Sequence, residues 1–270
     1  MRFYRDYRFT FGQGSTAKVV RPPISCVFSA TKSIKSEANE LSIRLCNLND
    51  PPFKRETDKS YTPAKLEVGY QGGLSLIFQG NVTRSRTSRS GADFITEMTV
   101  LDGGRALLQG FVSATVKGKS QAVDTLLGTL PGITKGAIAA TPDIIRPRVM
   151  VGNTAQVLQS VISQDQRFFI DNETAFVLGT YDVREGYAPL VNADTGLLTT
   201  PEIDGGEVTF STIINPSIKL GGLVKLESTM APDLNDIYKV TALTTSGDTD
   251  GGDWNQLIVC IKAPNYEVPR

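Results

Sequence analysis

The stretch KLEVGYQGGLSLIFQGNVTRSRTSRSGADF, residues 65–94, decides the reading of the fold. Leu66 and Val68 alternate with Lys65, Glu67 and Gly69, and after the glycine-rich turn Gln71–Gly73 the alternation resumes with Leu74, Leu76 and Phe78. A period of two places apolar side chains on one face of a half-buried strand. Three short signatures of this stretch return in order further along the chain. Lys65-Leu66-Glu67, Val82-Thr83 and Asp93-Phe94 recur as Lys225-Leu226-Glu227, Val240-Thr241 and Asp253-Trp254. The intervals are 17 and 11 residues in the first copy, 15 and 13 in the second. Ordered recurrence argues for a duplicated barrel unit, against the plainer reading that strand–turn–strand sequences resemble one another anyway.

Outward from these copies, Leu41, Ile43 and Leu45 alternate with Ser42, Arg44 and Cys46, and an apolar run from Leu257 to Ile261 closes the last strand. The outer thirds therefore read as antiparallel sheet, punctuated by turns such as SGDTDGGD at Ser246–Asp253. The middle has another period. Val123, Leu126, Leu127 and Leu130 lie three and four residues apart, one face of a helix that Pro131-Gly132 ends. A second helix is expected from Asn153 to about Gln164, capped by Asn153 or Thr154, with Val157, Leu158, Val161 and Ile162 as its apolar stripe. Each helix follows a short strand, which suggests a small paired βα module.

Composition closes several routes. The 270 residues hold no histidine, so no Ser-His-Asp triad exists and the commonest zinc ligand is missing. Lys and Arg total 28 against 28 Asp and Glu, a balance that gives no general attraction to nucleic acid or anionic membrane. Cys26, Cys46 and Cys260 are odd in number and far apart, and read as core thiols of a chain made in a reducing cytoplasm. No run approaches the roughly 18 apolar residues of a membrane span, and the charged start has no secretion-signal core.

Other motifs read structurally. Gly118-Lys119-Ser120 lacks the earlier glycine of a phosphate loop, since position 113 is Ser113, and reads as a helix start. Asp248-Thr249-Asp250 imitates part of a calcium loop without the later bidentate glutamate, so Asp194, Asp204, Asp236, Asp248, Asp250 and Asp253 read as turn residues. Glu202 and Glu207 could serve as a glycosidase pair, yet nothing in the spacing selects them. Arg84, Arg86 and Arg89 among serines form a basic segment between two strands that could contact phosphates, DNA included, or a neighbouring acidic subunit, with a solvated hairpin loop as the plainer reading.

At this point the residues resemble a known family. EANELSIRLCNLND (37–50), with Asn47 and Leu48, is similar to an element of phage baseplate hub proteins. So is LEVGYQGGLSLIFQGNV (66–82), with Gly69, Tyr70, Phe78 and Gly80, and so is GADFITEMTVLDGG (91–104), with Asp102 and Gly103. The second copy resembles the family through Thr195, Gly196 and Pro201, through Asn215, Pro216 and Gly221, and through Asp248 and Trp254. The chain departs from the family at Asn49-Asp50-Pro51-Pro52, which would stiffen the first connecting loop.

The resemblance implies a mainly β chain with a small α+β insertion. Residues 1–112 and 166–270 would each form a tail-tube-like antiparallel β-barrel, and 113–165 the connection. It implies a structural role in the virion tail baseplate, with no catalytic residue, cofactor or metal. The implied partners are a homotrimer, the terminal tail-tube ring, the central spike and baseplate wedge proteins. DNA would pass through the lumen without specific binding. Two rivals stay open: a tail-associated cell-wall hydrolase, and a tail-tube protein of a related contractile device.

Overall fold

The computed structural model describes residues 4–48, 62–70, 72–139, 147–184, 187–264 and 266, so the Asn49–Pro52 loop lies outside the described residues. The first unit comprises β1 (Arg5–Phe11), β2 (Lys18–Val20), β3 (Cys26–Ser33), β4 (Asn39–Cys46), β5 (Thr62–Tyr70), β6 (Gly73–Ser90) and β7 (Asp93–Asp102). The middle holds α1 (Gly104–Gln109), β8 (Phe111–Val116), α2 (Lys119–Gly128), β9 (Thr134–Ile138), β10 (Arg148–Asn153), α3 (Thr154–Val161), β11 (Gln166–Asp171) and β12 (Thr174–Gly179). The second unit has β13 (Leu190–Val191), β14 (Glu202–Asp204), β15 (Glu207–Ile213), β16 (Leu223–Leu226), β17 (Asp236–Asp248) and β18 (Trp254–Lys262). The protein is mainly β, as the alternation implies.

Five strands are paired identically in the two units. The first unit runs β3-β4-β7-β6-β5 and the second β14-β15-β18-β17-β16, antiparallel throughout. Both carry a bulge at the same place: Thr83 is passed over between Val82 and Arg84, and Thr241 between Val240 and Ala242. Counting from the bulge aligns the sequence signatures. Val82 faces Thr62 and Val240 hydrogen-bonds Gly222; four residues on from those partners lie Leu66 and Leu226. Across the next strand Arg89 faces Phe94 as Gly247 faces Trp254. The units diverge at the flank, where β1 runs antiparallel to β5 but β13 runs parallel to β16.

In each unit the alternating apolar side chains meet in one core. Every strand from β2 to β3 contributes to the first, including Phe9, Phe28, Ile43, Leu66, Phe78 and Val100. A sheet whose two ends feed one core must curl around it. Among the described residues the pairing path nevertheless stays open, and β17 pairs with β3 to join both units into one sheet. The second core gathers Val208, Phe210, Val224, Leu226, Val240 and Ile258.

In the middle, β8 pairs with β10, and Val123, Leu126 and Leu127 of α2 pack with Leu158 and Val161 of α3 beside them. The Asn153 side chain accepts hydrogen bonds from Ala155 N and Gln156 N at 3.0 and 3.2 Å, the cap expected of α3. β11 and β12 lie beyond residue 165 and pair with each other, and β12 also pairs with β9. Helix α1 is too short for a periodic signal. Among the described residues no helix is long and apolar enough to cross a membrane.

Candidate assembly surfaces

The joint between the units is built from the length of β17. Its first half pairs with β16; its second half, Ala242–Asp248, runs past that short strand and pairs with Ser33–Val27 of β3 over seven residue pairs. Trp254 reinforces this joint. It begins β18 of the second unit, yet it is only 6% exposed and lies in the core of the first. Its ring meets Phe28 edge-on at 5.6 Å and Tyr70 at 6.5 Å, with the Arg5 guanidinium 5.5 Å from its centroid. A Cβ on Gly247 would lie 2.3 Å from Phe28 and 2.8 Å from Trp254, so the close approach needs glycine there. The following loop is tied back by Thr249 N to Cys26 O at 3.0 Å and by Asp250 N to Asp248 Oδ1 at 2.8 Å. The aspartates here make turns.

The β11–β12 hairpin clips the units from the other side. Asn172 and Glu173 form its tip with φ of 51° and 58°, left-handed conformations that carry strain in non-glycine residues. Asp102 compensates, accepting hydrogen bonds from Asn172 N at 2.6 Å and Glu173 N at 2.8 Å. Gln79 and Asn81 donate to the Glu173 carboxylate at 2.7 and 3.0 Å. Lys32 of β3 donates to Asp171 at 2.6 Å and to Asn172 at 2.9 Å, and Arg184 shares Asp171. At the other end of β12, Lys239 of β17 donates to Gly179 O at 2.7 Å and Thr180 O at 3.1 Å.

Burial governs the charges of this clip. It pushes the Asp102 carboxyl up to about 7, with Asp171 adding to the rise, and Lys32 and the two amides opposing it. Burial also acts on Asp171, but Lys32 and Arg184 outweigh it and hold that carboxyl below its ordinary range. Lys239 is brought down to about 8 by burial. Asp171 and Lys239 escaped the sequence reading, which named Asp102 only as a residue of the family motif, although the run FFIDNETAFVLG (168–179) carries a hairpin signal in its polar Asp-Asn-Glu-Thr between apolar stretches. Among the described residues no group of Cys, Asp and Glu is arranged to hold a metal.

The residues singled out in the sequence serve turns and close packing. Asn47 brackets the start of β7, donating to Asp93 at 2.8 Å and accepting from Phe94 N at 2.9 Å, and Leu48 packs on the first core. A Cβ on Gly69 would meet Gly73 O at 2.0 Å, on Gly80 Leu101 O at 2.5 Å, and on Gly103 the Ile170 side chain at 2.6 Å. Thr195 and Gly196 form a turn on Asn192; Asn215 accepts from Ser217 N just after Ile214; Gly221 donates to Val240 O. Pro201 is buried immediately before β14, and Pro216 follows Asn215 in the approach to β16. These positions do not converge on one cavity.

The basic segment differs from the loop reading. Arg84, Arg86 and Arg89 all lie within β6, because their alternation with Ser85 and Thr87 continues the strand opposite β7. Arg84 and Arg86 point outward from buried Ser85, and Arg86 faces Glu97, which in turn faces Arg44 of β4. Glu202 and Glu207 lie on the exposed β14–β15 hairpin, where Asp204 stands directly opposite Glu207.

Comparison with known proteins agrees with this architecture. A family model described as "Baseplate hub gp41" matches residues 45–246, well over half of the chain. The fold is similar to the 43 kDa tail protein of prophage MuSo2 from Shewanella oneidensis, with a TM-score of 0.70 at 9% identity, covering 95% of this chain and 97% of that one. It is similar to a tail protein from Neisseria meningitidis MC58, with a TM-score of 0.65 at 10% identity over 94% and 96% of the two chains. It is also similar to the E. coli c3393 protein, described as a type VI secretion component with structural similarity to T4 bacteriophage tail proteins gp27 and gp5. That match has a TM-score of 0.62 at 15% identity over 89% of this chain and 74% of that one. No curated protein sequence matches the chain.

Proposed function

This chain belongs to the baseplate hub gp41 family, and on that footing we propose that three copies form a ring joining the sixfold tail tube to the threefold central spike. The carrying observation is the five-strand order that occurs twice in one polypeptide with its bulge at the same threonine. Three chains with two such units offer six equivalent elements around an axis, a match for a sixfold tube ring. The unrepeated β8–β12 region with its helices occurs three times in the same ring and suits a threefold spike. The role is structural: the strained turns, the buried ion pairs and the family glycines all serve packing.

In this reading the terminal tube ring and the spike are the axial partners, and wedge proteins meet the outer side. DNA passes through the lumen without specific contacts. The subunit acts in the virion baseplate and assembles in the host cytoplasm. Native mass measurement of the purified chain, alone and with its tube and spike proteins, tests the proposal. A trimer that binds both is expected. A sixfold ring supports a tube protein instead, and a monomer under all these conditions overturns the reading.

A further inference from the structure

The duplicated unit makes its side-by-side joint at one end, and among the described residues no strand pairs with the corresponding surfaces at the other. Within the chain, Ala242–Asp248 of β17 pairs with β3. The corresponding half of β6, Arg84–Ser90, pairs with β7, and among the described residues no strand covers its other side. The counterpart of β3 is β14, which pairs with β15 and among the described residues forms the end of the sheet. We propose that β6 of one copy pairs with β14 of the next, repeating between chains the joint that β17 and β3 make within one. The proposal rests on the trimeric reading above and names the surfaces that close the ring.

The register follows from the internal template. Val82, Val100 and Leu41 form one cross-strand row, and Val240, Cys260 and Val208 form its counterpart. Carrying that row one strand further aligns Ala30 with Ile203. The template pair Thr245–Ala30 then becomes Thr87 facing Ile203 of the neighbouring copy, flanked by Arg86–Asp204 and Ser88–Glu202. Pro201 has no N–H and Gly205-Gly206 turns the chain with positive φ, so the strand pairing is confined to these three positions.

Burial and charge both fit. Ala30, inside the made joint, is 2% exposed, whereas its counterpart Ile203 is 60% exposed. Trp254 is buried across the made joint, whereas its counterpart Phe94 is 52% exposed. A cavity of about 630 Å³ in the second unit is lined by Leu197, Leu198, Leu226 and Met230 among others, and Leu226 is the counterpart of Leu66, which shares the first core with Trp254. Phe94 of the neighbouring copy fits that role. Asp204 directly opposite Glu207 is a like-charge pair that β14 carries at its own cost. The joint places Arg86 beside it and extends the row Arg86, Glu97, Arg44 to four alternating charges across four strands.

Engineered thiols test the joint on the full chain. Ser88→Cys with Glu202→Cys puts two thiols directly opposite each other across the joint, while Thr87→Cys with Glu202→Cys puts them on opposite faces. The two strands lie at separate places along the sheet path of one chain, with β15, β18, β17, β3, β4 and β7 between them, so a bond at this pair links chains. Oxidation of the first pair is expected to give a covalent trimer on a denaturing gel, and the second none. Phe94→Asp and Arg86→Glu should each weaken the trimer by roughly tenfold or more in half-dissociation concentration. Asp204→Arg should restore most of the Arg86→Glu loss. A trimer by mass without the first cross-link, or with only the second, overturns the joint and leaves the trimeric reading standing. A monomeric wild type overturns both.

Discussion

Thr83 and Thr241 hold the same bulge in two copies of one sheet. Thr83 donates its hydroxyl to Thr99 O at 3.2 Å, and Thr241 donates to Val259 O at 3.1 Å, each across to the strand it is passed over by. A threonine at a bulge supplies the hydrogen bond that the interrupted ladder omits. Thr83→Val and Thr241→Val should therefore cost about 1 kcal/mol each in urea unfolding. Unequal effects, with one near zero, would show that the bulges are not equivalent.

Gly80 faces the carbonyl of Leu101, which a Cβ would approach to 2.5 Å, while a Cβ on Gly73 would meet nothing within 4 Å. Backbone cannot yield as a side chain can. Gly80→Ala should destabilise by roughly 1–3 kcal/mol and Gly73→Ala by about 0.5 kcal/mol or less in thermal unfolding. Equal costs would contradict the close approach of β6 and β7.

The Asp102 carboxyl titrates near 7 in the folded protein because it is buried, against an ordinary value of 3.8. The folded state therefore binds this proton more tightly than the unfolded one. The stability it confers is complete below about pH 4 and is lost as pH rises towards and through 7. Asp171 contributes with the opposite sign, losing stability as pH falls through its depressed range. Asp102→Asn removes only the first effect. Its unfolding free energy relative to wild type should climb between pH 4 and 7 by on the order of 4 kcal/mol. A flat difference in calorimetry over that window refutes the assignment.

Lys32 is 5% exposed and shares Asp171 with Arg184, so Lys32→Met leaves a buried carboxylate with half its compensation. A loss of about 3–5 kcal/mol is expected. Adding Asp171→Leu removes the stranded charge and should recover part of that loss in chemical denaturation. No recovery would place the cost in packing.

The indole N–H of Trp254 is buried and meets no acceptor among the described residues, so its contribution comes from area and shape. Trp254→Ala should lower stability by roughly 3–5 kcal/mol. Trp254→Phe keeps an apolar ring without the orphaned donor and should cost about 1.5 kcal/mol or less. Parallel unfolding curves distinguish the two, and equal losses would assign the N–H a hidden partner.

Much of this architecture was legible in the residues. The Lys-Leu-Glu, Val-Thr and Asp-aromatic signatures fall at equivalent ladder positions because the bulge fixes register, and register fixes which side chains face the core. The α2 and α3 stripes were equally clear. The β6 arginines were misread as a loop because charged and serine-rich strands lack the apolar alternation that announces a strand. The Lys32, Asp171 and Asp102 cluster was invisible for a different reason. Its members lie up to 139 residues apart and meet only through the docking of a hairpin tip. The exposed ends of the repeat likewise required the pairing map, since exposure at Phe94 and Ile203 gains meaning only beside their buried counterparts.

The seven pairs between β17 and β3 also determine how the subunit carries load. Tension directed along those strands stretches every ladder hydrogen bond simultaneously, whereas tension across them peels the bonds in succession. With the β11–β12 hairpin tied to Lys32 at its tip and to Lys239 at the far end of β12, peeling is braced at its starting point. A tug on one unit is therefore expected to reach the other through this shared ladder.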